Sequence, residues 1–241
     1  MNSSVLGRVI ERCAQVRAGG GRPVVFFDLD ATLFDNTSRT LQILREFAES
    51  FCQVELQSRL ERDPTLPAGV LPYLLEDVLD FLDVQDASMK QFAFEFWMKR
   101  FFSDSYQIYD EPIRGAPAYV RDVHALATVV YLSGRNAPQM AVGCTQALRE
   151  NGFPIAQSGT VLLLKPHIDM NDLHFKQGTL PFVQSLGIMV ACFDNEPDNC
   201  NLFQAYWPDA IVVHLDTHRH PNSDPLQGGI ESIPHFNRLT F

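Results

Sequence analysis

Five short runs of apolar residues constrain this 241-residue chain more than any other feature. They are Pro23–Phe27, Thr128–Leu132, Thr160–Leu164, Ile188–Phe193 and Ala210–Leu215. Each is continuous, rich in β-branched or aromatic residues, and lacks polar alternation. That is how strands buried on both faces of a parallel sheet read. Helical patterns separate the later runs, over Ala116–Leu126, Pro138–Glu150, Asp172–Leu186 and Glu196–Tyr206. Strand and helix in alternation predict an α/β fold: a Rossmann-like parallel sheet with helices on both faces. Another amphipathic helix is expected over 3–18, capped by Ser3 or Ser4 and ended by Gly19-Gly20-Gly21.

Residues 36–112 break the alternation. They show helical patterns near 38–52, 70–82 and 88–102, punctuated by Pro64, Pro67, Gly69 and Pro72, and no strand. A structureless loop of that length is uncommon, so the segment reads as a helical insertion. The expected domains are therefore 1–35 with 113–241 as the α/β core, and 36–112 as a separate helical unit. Phe92, Phe94, Phe96, Trp97, Phe101 and Phe102 crowd its last helix and are expected to build its own core. Trp97, Arg100 and Tyr106 are offered as pocket-lining residues. The tail after Leu215 reads as a turn-rich surface loop, with His218 and His220 as exposed polar residues beside His214.

Charge narrows the function. Lys plus Arg number 19 against 29 Asp plus Glu, a net charge of −10. Such a surface argues against nucleic-acid binding, which needs cations to displace counterions, and against a polybasic membrane patch. No apolar run approaches the roughly 18 residues of a transmembrane helix, and the N-terminus lacks the apolar stretch of a secretory signal. The five cysteines are scattered, without a C-x-x-C pair. They predict buried thiols and a reducing, cytoplasmic setting. The expected partner is a small molecule, and the expected state a monomer or homodimer.

The chemistry is expected at the strand ends. The first strand runs into Asp28-Leu-Asp30-Ala-Thr32-Leu-Phe-Asp35. Carboxylates at i and i+2 of a strand share a side, and the C-terminal end of a parallel strand opens onto the crevice where such sheets bind ligands. The second strand ends in Ser133-Gly134-Arg135. The fourth ends in Asp194-Asn195-Glu196-Pro197-Asp198, and Lys165 and Lys176 lie between them.

Together these clusters resemble the haloacid dehalogenase superfamily of phosphotransferases and hydrolases, most specifically through DLDATLFD. The resemblance spans most of residues 22–215. It implies Asp28 as nucleophile, Asp30 as general acid/base, Ser133 as phosphoryl-oxygen ligand and a lysine that steadies charge. It makes residues 36–112 a helical cap between the first and second motifs. Lys176 is favoured as that lysine because Asp172 could cap its helix. Lys165 fits the family's other pattern and is the alternative, as a substrate-binding residue with Ser133, Gly134 and Arg135. The implied cofactor is Mg²⁺, on Asp28, Asp30, Asp194 and Asp198, the last direct, through water, or orienting Lys176. Anionic neighbours are expected to raise the Asp30 pKa, as an acid catalyst needs.

One departure concerns Ala31, where the family often has Gly; a positive φ there would be harder for alanine. The expected activity is hydrolysis of a small phosphorylated metabolite. A phosphotransferase or mutase on the same site, or a silent binding protein of the same fold, is the alternative.

Overall fold

The computed structural model describes residues 4–62 and 71–237, without the side chain of Arg62; Pro64, Pro67 and Gly69 lie outside that range. Helix α1 (Val5–Ala18) is capped by Ser4, whose Oγ accepts from Gly7 N at 3.3 Å, and it buries Val5, Leu6, Val9 and Cys13. It leads into β1 (Pro23–Phe27), buried at every position. Strand β1 lies between β4 (Thr128–Asn136) and β6 (Ile188–Asp194), parallel to both. Beyond β4 lies β5 (Thr160–Lys165), and beyond β6 lie β7 (Ile211–Leu215) and β8 (Glu231–Ile233). The result is a six-stranded parallel sheet in the order β5-β4-β1-β6-β7-β8. The apolar runs mark five of these strands. The sixth, β8, is a three-residue strand in the tail expected to be loop alone.

Helices α6 (Ala116–His124), α7 (Ala137–Glu150), α8 (Asp172–Leu186) and α9 (Pro197–Tyr206) form the crossovers. Side chains of a strand alternate between faces, so β1 feeds two cores. Val25 and Phe27 join Val9 of α1, Tyr119 of α6 and Leu148 of α7. Val24 and Phe26 join Phe175 and Leu180 of α8 and Phe203 of α9. Phe27 stacks on Phe193 of β6 at 4.7 Å, and Phe26 meets Phe203 edge-on at 4.7 Å. Each buried Phe is worth about 1.5–3 kcal/mol, so the strand that ends at Asp28 is anchored from both sides.

Between β2 (Phe34–Asp35) and β3 (Glu111–Pro112), which pair antiparallel, the chain leaves and re-enters the core. The segment between holds α2 (Thr37–Ser50), α3 (Val54–Arg62), α4 (Leu75–Phe81), α5 (Ala87–Phe101) and a 3₁₀ turn over Asp104–Tyr109. It has an apolar cluster of its own, with Leu44, Phe47, Leu60, Leu79 and Ala93, and with Phe96 and Trp97 packed against it. Phe92 and Phe94 remain 47% and 43% exposed, so the aromatic helix only partly fills that cluster. The 3₁₀ turn docks on α7: Asp104 Oδ1 accepts from Gly143 N at 2.7 Å, and a Cβ at Gly143 would lie 2.2 Å from Asp104 O. Among the described residues no helix is long and apolar enough to cross a membrane.

Ala31 has φ 55°, in the left-handed region. Its N–H donates to Phe34 O at 2.7 Å and its carbonyl accepts from Thr217 Oγ1, which closes the tight turn after Asp30. The conformation costs a non-glycine residue about 1–2 kcal/mol, roughly offset by the extra chain entropy that Gly loses, about 0.5–1 kcal/mol. Ala31→Gly should therefore keep or slightly raise the thermal midpoint. Ala31→Val, β-branched at positive φ, should lower it by several degrees; the two melting curves check this.

Candidate active site

Register sets the centre of the site. Phe27 lies opposite Phe193, and Asp28 N–H donates to Phe193 O at 2.9 Å, so Asp28 and Asp194 leave the sheet side by side. Helix α8, seated by Phe175 and Leu180, carries Lys176 under both. Its Nζ is 2.7 Å from Asp28 Oδ1 and 2.7 Å from Asp194 Oδ2, and all three groups are buried. Burial opposes the Lys176 charge, but Asp194 and Asp28 outweigh it and raise its pKa, so it stays an ammonium. Burial pushes the Asp28 carboxyl up to about 8; Lys176 opposes this and the Asp194 charge adds to it. The other Asp194 oxygen accepts from Glu196 N at 2.9 Å and Asn199 Nδ2 at 3.0 Å.

Asp30, two residues beyond Asp28, has its side chain 38% exposed. Arg135 holds it in a fork, Nη2 at 2.8 Å from Oδ1 and Nε at 3.0 Å from Oδ2. Burial alone would raise its pKa, but Arg135 and then Arg39 bring it down to about 2. The expectation of a raised value is thereby corrected. The neighbours that dominate at Asp30 are two guanidiniums rather than the carboxylates nearby in sequence.

Ser133 is fully buried at the bend of β4, where its Oγ accepts from Arg135 N at 3.2 Å. Gly134 passes so close to Asp172 that a Cβ would lie 2.2 Å from its Oδ2. Arg135, read as a substrate ligand, is instead buried against Asp30, Asp110 and Gln107. Lys165 lies outside the central triad; its ammonium serves Asp172 Oδ1 at 2.5 Å and the carbonyls of Met170 and Ile168. Asp172 therefore pairs with Lys165 and does not cap α8; Asn171 does, accepting from His174 N at 3.0 Å. Asp198 accepts from Asp224 N at 2.9 Å and makes no ion pair with Lys176. Successive helix residues point about 100° apart, so Asn199, not Asp198, faces Asp194.

Several polar side chains away from the central carboxylates are buried, His214 of the tail histidines among them. His214 is buried on β7, with Nε2 3.0 Å from Asn195 O and Nδ1 3.0 Å from Ser232 Oγ. Arg39, Gln107 and Asp110 are buried too, although Arg and Asp usually read as solvent-facing. Trp97 donates to Thr40 Oγ1, while Arg100 lies over the Phe96 ring beside Glu46, the partner of Tyr106. None of these three contacts involves the central carboxylates. Tyr73 of the insertion instead reaches the tail beside Glu196. Its ring is 5.7 Å from His220, and His220 N donates to Glu196 Oε1 at 3.0 Å.

A carboxyl whose pKa is raised by burial costs stability wherever the unfolded chain would ionise it. The Asp28 contribution is favourable below about pH 4 and declines as pH rises toward about 8, because the folded state keeps a proton that the unfolded chain has lost. In chelator, Asp28→Asn should therefore melt higher than wild type, by a margin that widens from pH 5 to about pH 8. A margin that is flat or shrinks with pH would contradict this.

No family model matches the sequence, and no curated protein matches it significantly. Solved structures do match its fold. A structure named as a phosphatase, from Clostridium difficile, is 12% identical, covers 84% of this chain and 89% of its own, and has a TM-score of 0.54. A haloacid dehalogenase superfamily hydrolase of subfamily IA from Geobacter sulfurreducens is 11% identical over 90% and 94%, with a TM-score of 0.54. A haloacid dehalogenase-like hydrolase from Burkholderia xenovorans is 15% identical over 89% and 93%, with a TM-score of 0.50. At such identities the likeness speaks for architecture. The chain has the fold of the haloacid dehalogenase-like hydrolases, an α/β core interrupted after its first strand by a helical insertion.

Proposed function

We propose that this chain is a Mg²⁺-dependent phosphatase that hydrolyses a small phosphate monoester through an aspartyl-phosphate on Asp28. The observation that carries the reading is the buried Asp28–Lys176–Asp194 triad at the sheet's ligand-binding edge, with Asp30 two residues beyond Asp28. Nucleophilic carboxylates need a cation beside them to receive an anionic phosphate, and Lys176 is placed for that.

The residues also fit a divalent cation. Two buried carboxylates share one ammonium, so their oxygens have capacity for a further cation once both are ionised. No three His, Cys, Asp or Glu side chains converge among the described residues. The seat would thus be Asp28, Asp194 and the Asp30 carbonyl, with neither Asp198 nor the Asp30 carboxylate directly on the metal. Mg²⁺ commonly uses one or two carboxylates and fills its shell with waters and substrate phosphate. Bound there, it would supply positive charge to the phosphoryl oxygens.

The chain's own groups would do the rest. A free Asp28 oxygen attacks phosphorus as the ester P–O bond breaks, and Asp30 gives its proton to the departing oxygen. Water then attacks the same phosphorus, Asp30 takes its proton, and the Asp28–phosphorus bond breaks to regenerate the carboxylate. Ser133 would donate to a phosphoryl oxygen and Lys176 would offset charge throughout. Asp30 is ionised before substrate arrives. The negative phosphoryl group beside it opposes Arg135 and Arg39, and so favours the protonated form the first step requires.

Phosphate release from p-nitrophenyl phosphate tests the reading. Wild type should be active with Mg²⁺ and silent in EDTA, and Asp28→Asn should lose at least about 10³-fold in kcat, as nucleophile removal does in concerted sites. Wild-type rates in Asp28→Asn, or full activity in chelator, would refute it.

A further inference from the structure

Arg39, Gln107, Asp110 and Arg135 take no direct part in those steps, yet they form one buried knot around Asp30. Arg135 turns both Nε and Nη2 to Asp30, and its remaining edge is spent as well. Nη1 donates to Gln107 Oε1 at 2.6 Å, and Nη2 also donates to Asp110 Oδ2 at 2.8 Å. Asp110 is itself fixed. Arg39 grips both of its oxygens, with Nε 2.7 Å from Oδ1, and Asn36 Nδ2 lies 3.0 Å from Oδ1. Arg39 Nη1 reaches Phe101 O at 3.1 Å, and Gln107 Nε2 donates to Met140 O of α7 at 2.9 Å. Both side chains of the central Asp110–Arg39 pair are 0% exposed.

The geometry of the knot is that of an orienting device. A guanidinium fork fixes the plane of the carboxylate it holds, not merely its distance. The braces come from both crossings between core and insertion: Asn36 and Arg39 where the chain leaves, Gln107 and Asp110 where it returns. Arg135 is joined to the core through its own N–H on Ser133 Oγ.

We infer that Arg135, braced by Asp110 and Gln107, is the positioning residue for Asp30. It sets the angle at which that carboxylate meets the leaving oxygen and does not itself bind the phosphoryl group. The inference rests on the phosphatase reading. It makes the base of the insertion part of the acid/base machinery. The step served is a single proton passing from Asp30 to the leaving oxygen as the ester bond breaks, with no further reactant.

Two esters of similar shape but different need for that proton separate this from a structural role. Phenyl phosphate expels phenolate, a poor leaving group that needs the proton; p-nitrophenyl phosphate expels p-nitrophenolate, a good one that needs it less. In full-length protein with Mg²⁺, Asp110→Asn should depress kcat on phenyl phosphate about tenfold more than on the nitrophenyl ester, a part of the 10²–10⁴ that general acid catalysis supplies. KM should change little for either. Gln107→Leu removes a neutral brace and leaves every ion pair in place, so it should fold and show the same bias more weakly. The ratio of two kcat values from one sample does not depend on the folded fraction. Equal losses on both esters in both variants, or KM rising on both with kcat kept, would overturn the inference. Wild type that hydrolyses neither ester would instead bring down the phosphatase reading on which it depends.

Discussion

A single buried ammonium organises the site. Lys176 Nζ stands 2.7 Å from Asp28 and 2.7 Å from Asp194, linking the ends of two neighbouring strands to a helix packed on one face of the sheet. Two carboxylates could not be buried side by side without it, since an unpaired buried charge costs several kcal/mol. The strands place the carboxylates through backbone register, and α8 places the lysine through Phe175 and Leu180. The apolar core is thus the instrument that fixes three ionisable groups to within hydrogen-bond distance.

The setting of Asp30 is built differently. Asp30 is held by arginines whose own partners belong to the insertion, so the two carboxylates of D-x-D live in contrasting fields. Burial lifts the Asp28 pKa and two guanidiniums lower that of Asp30. Divergent environments for paired carboxylates are how one site assigns separate roles to like groups. Here they separate a carboxylate facing an ammonium from one facing the insertion.

The sheet was legible because its strands are continuous apolar runs, and Asp28 and Asp194 because they stand at the ends of such runs; Lys176 was favoured for a helix cap by Asp172 that Asn171 supplies instead. Strand β8 was hidden: Glu231-Ser-Ile233 is too short and polar to carry a pattern, and only its pairing with β7 makes it a strand. The knot around Asp110 was hidden for another reason. Gln107 and Asp110 lie far from Asp30 in sequence, and burial of a charged residue such as Arg39 depends on partners that periodicity does not reveal. Asp198 was read as the residue beside the metal or Lys176, but the phase of α9 turns Asn199 toward Asp194 instead. Ala31 shows the reverse case, a positive φ that the family's frequent glycine raised as a question and that an alanine here adopts.

The proposed reaction requires Asp28 to carry the phosphoryl group, and chemical trapping tests that most directly. An acyl phosphate is reduced by borohydride to an alcohol, which would convert Asp28 to homoserine. Protein quenched during turnover of p-nitrophenyl phosphate, reduced, digested and examined by mass spectrometry should carry homoserine at position 28 and nowhere else. Active protein with an unmodified Asp28, or with the reduced residue at Asp30 or Asp194, would contradict the account.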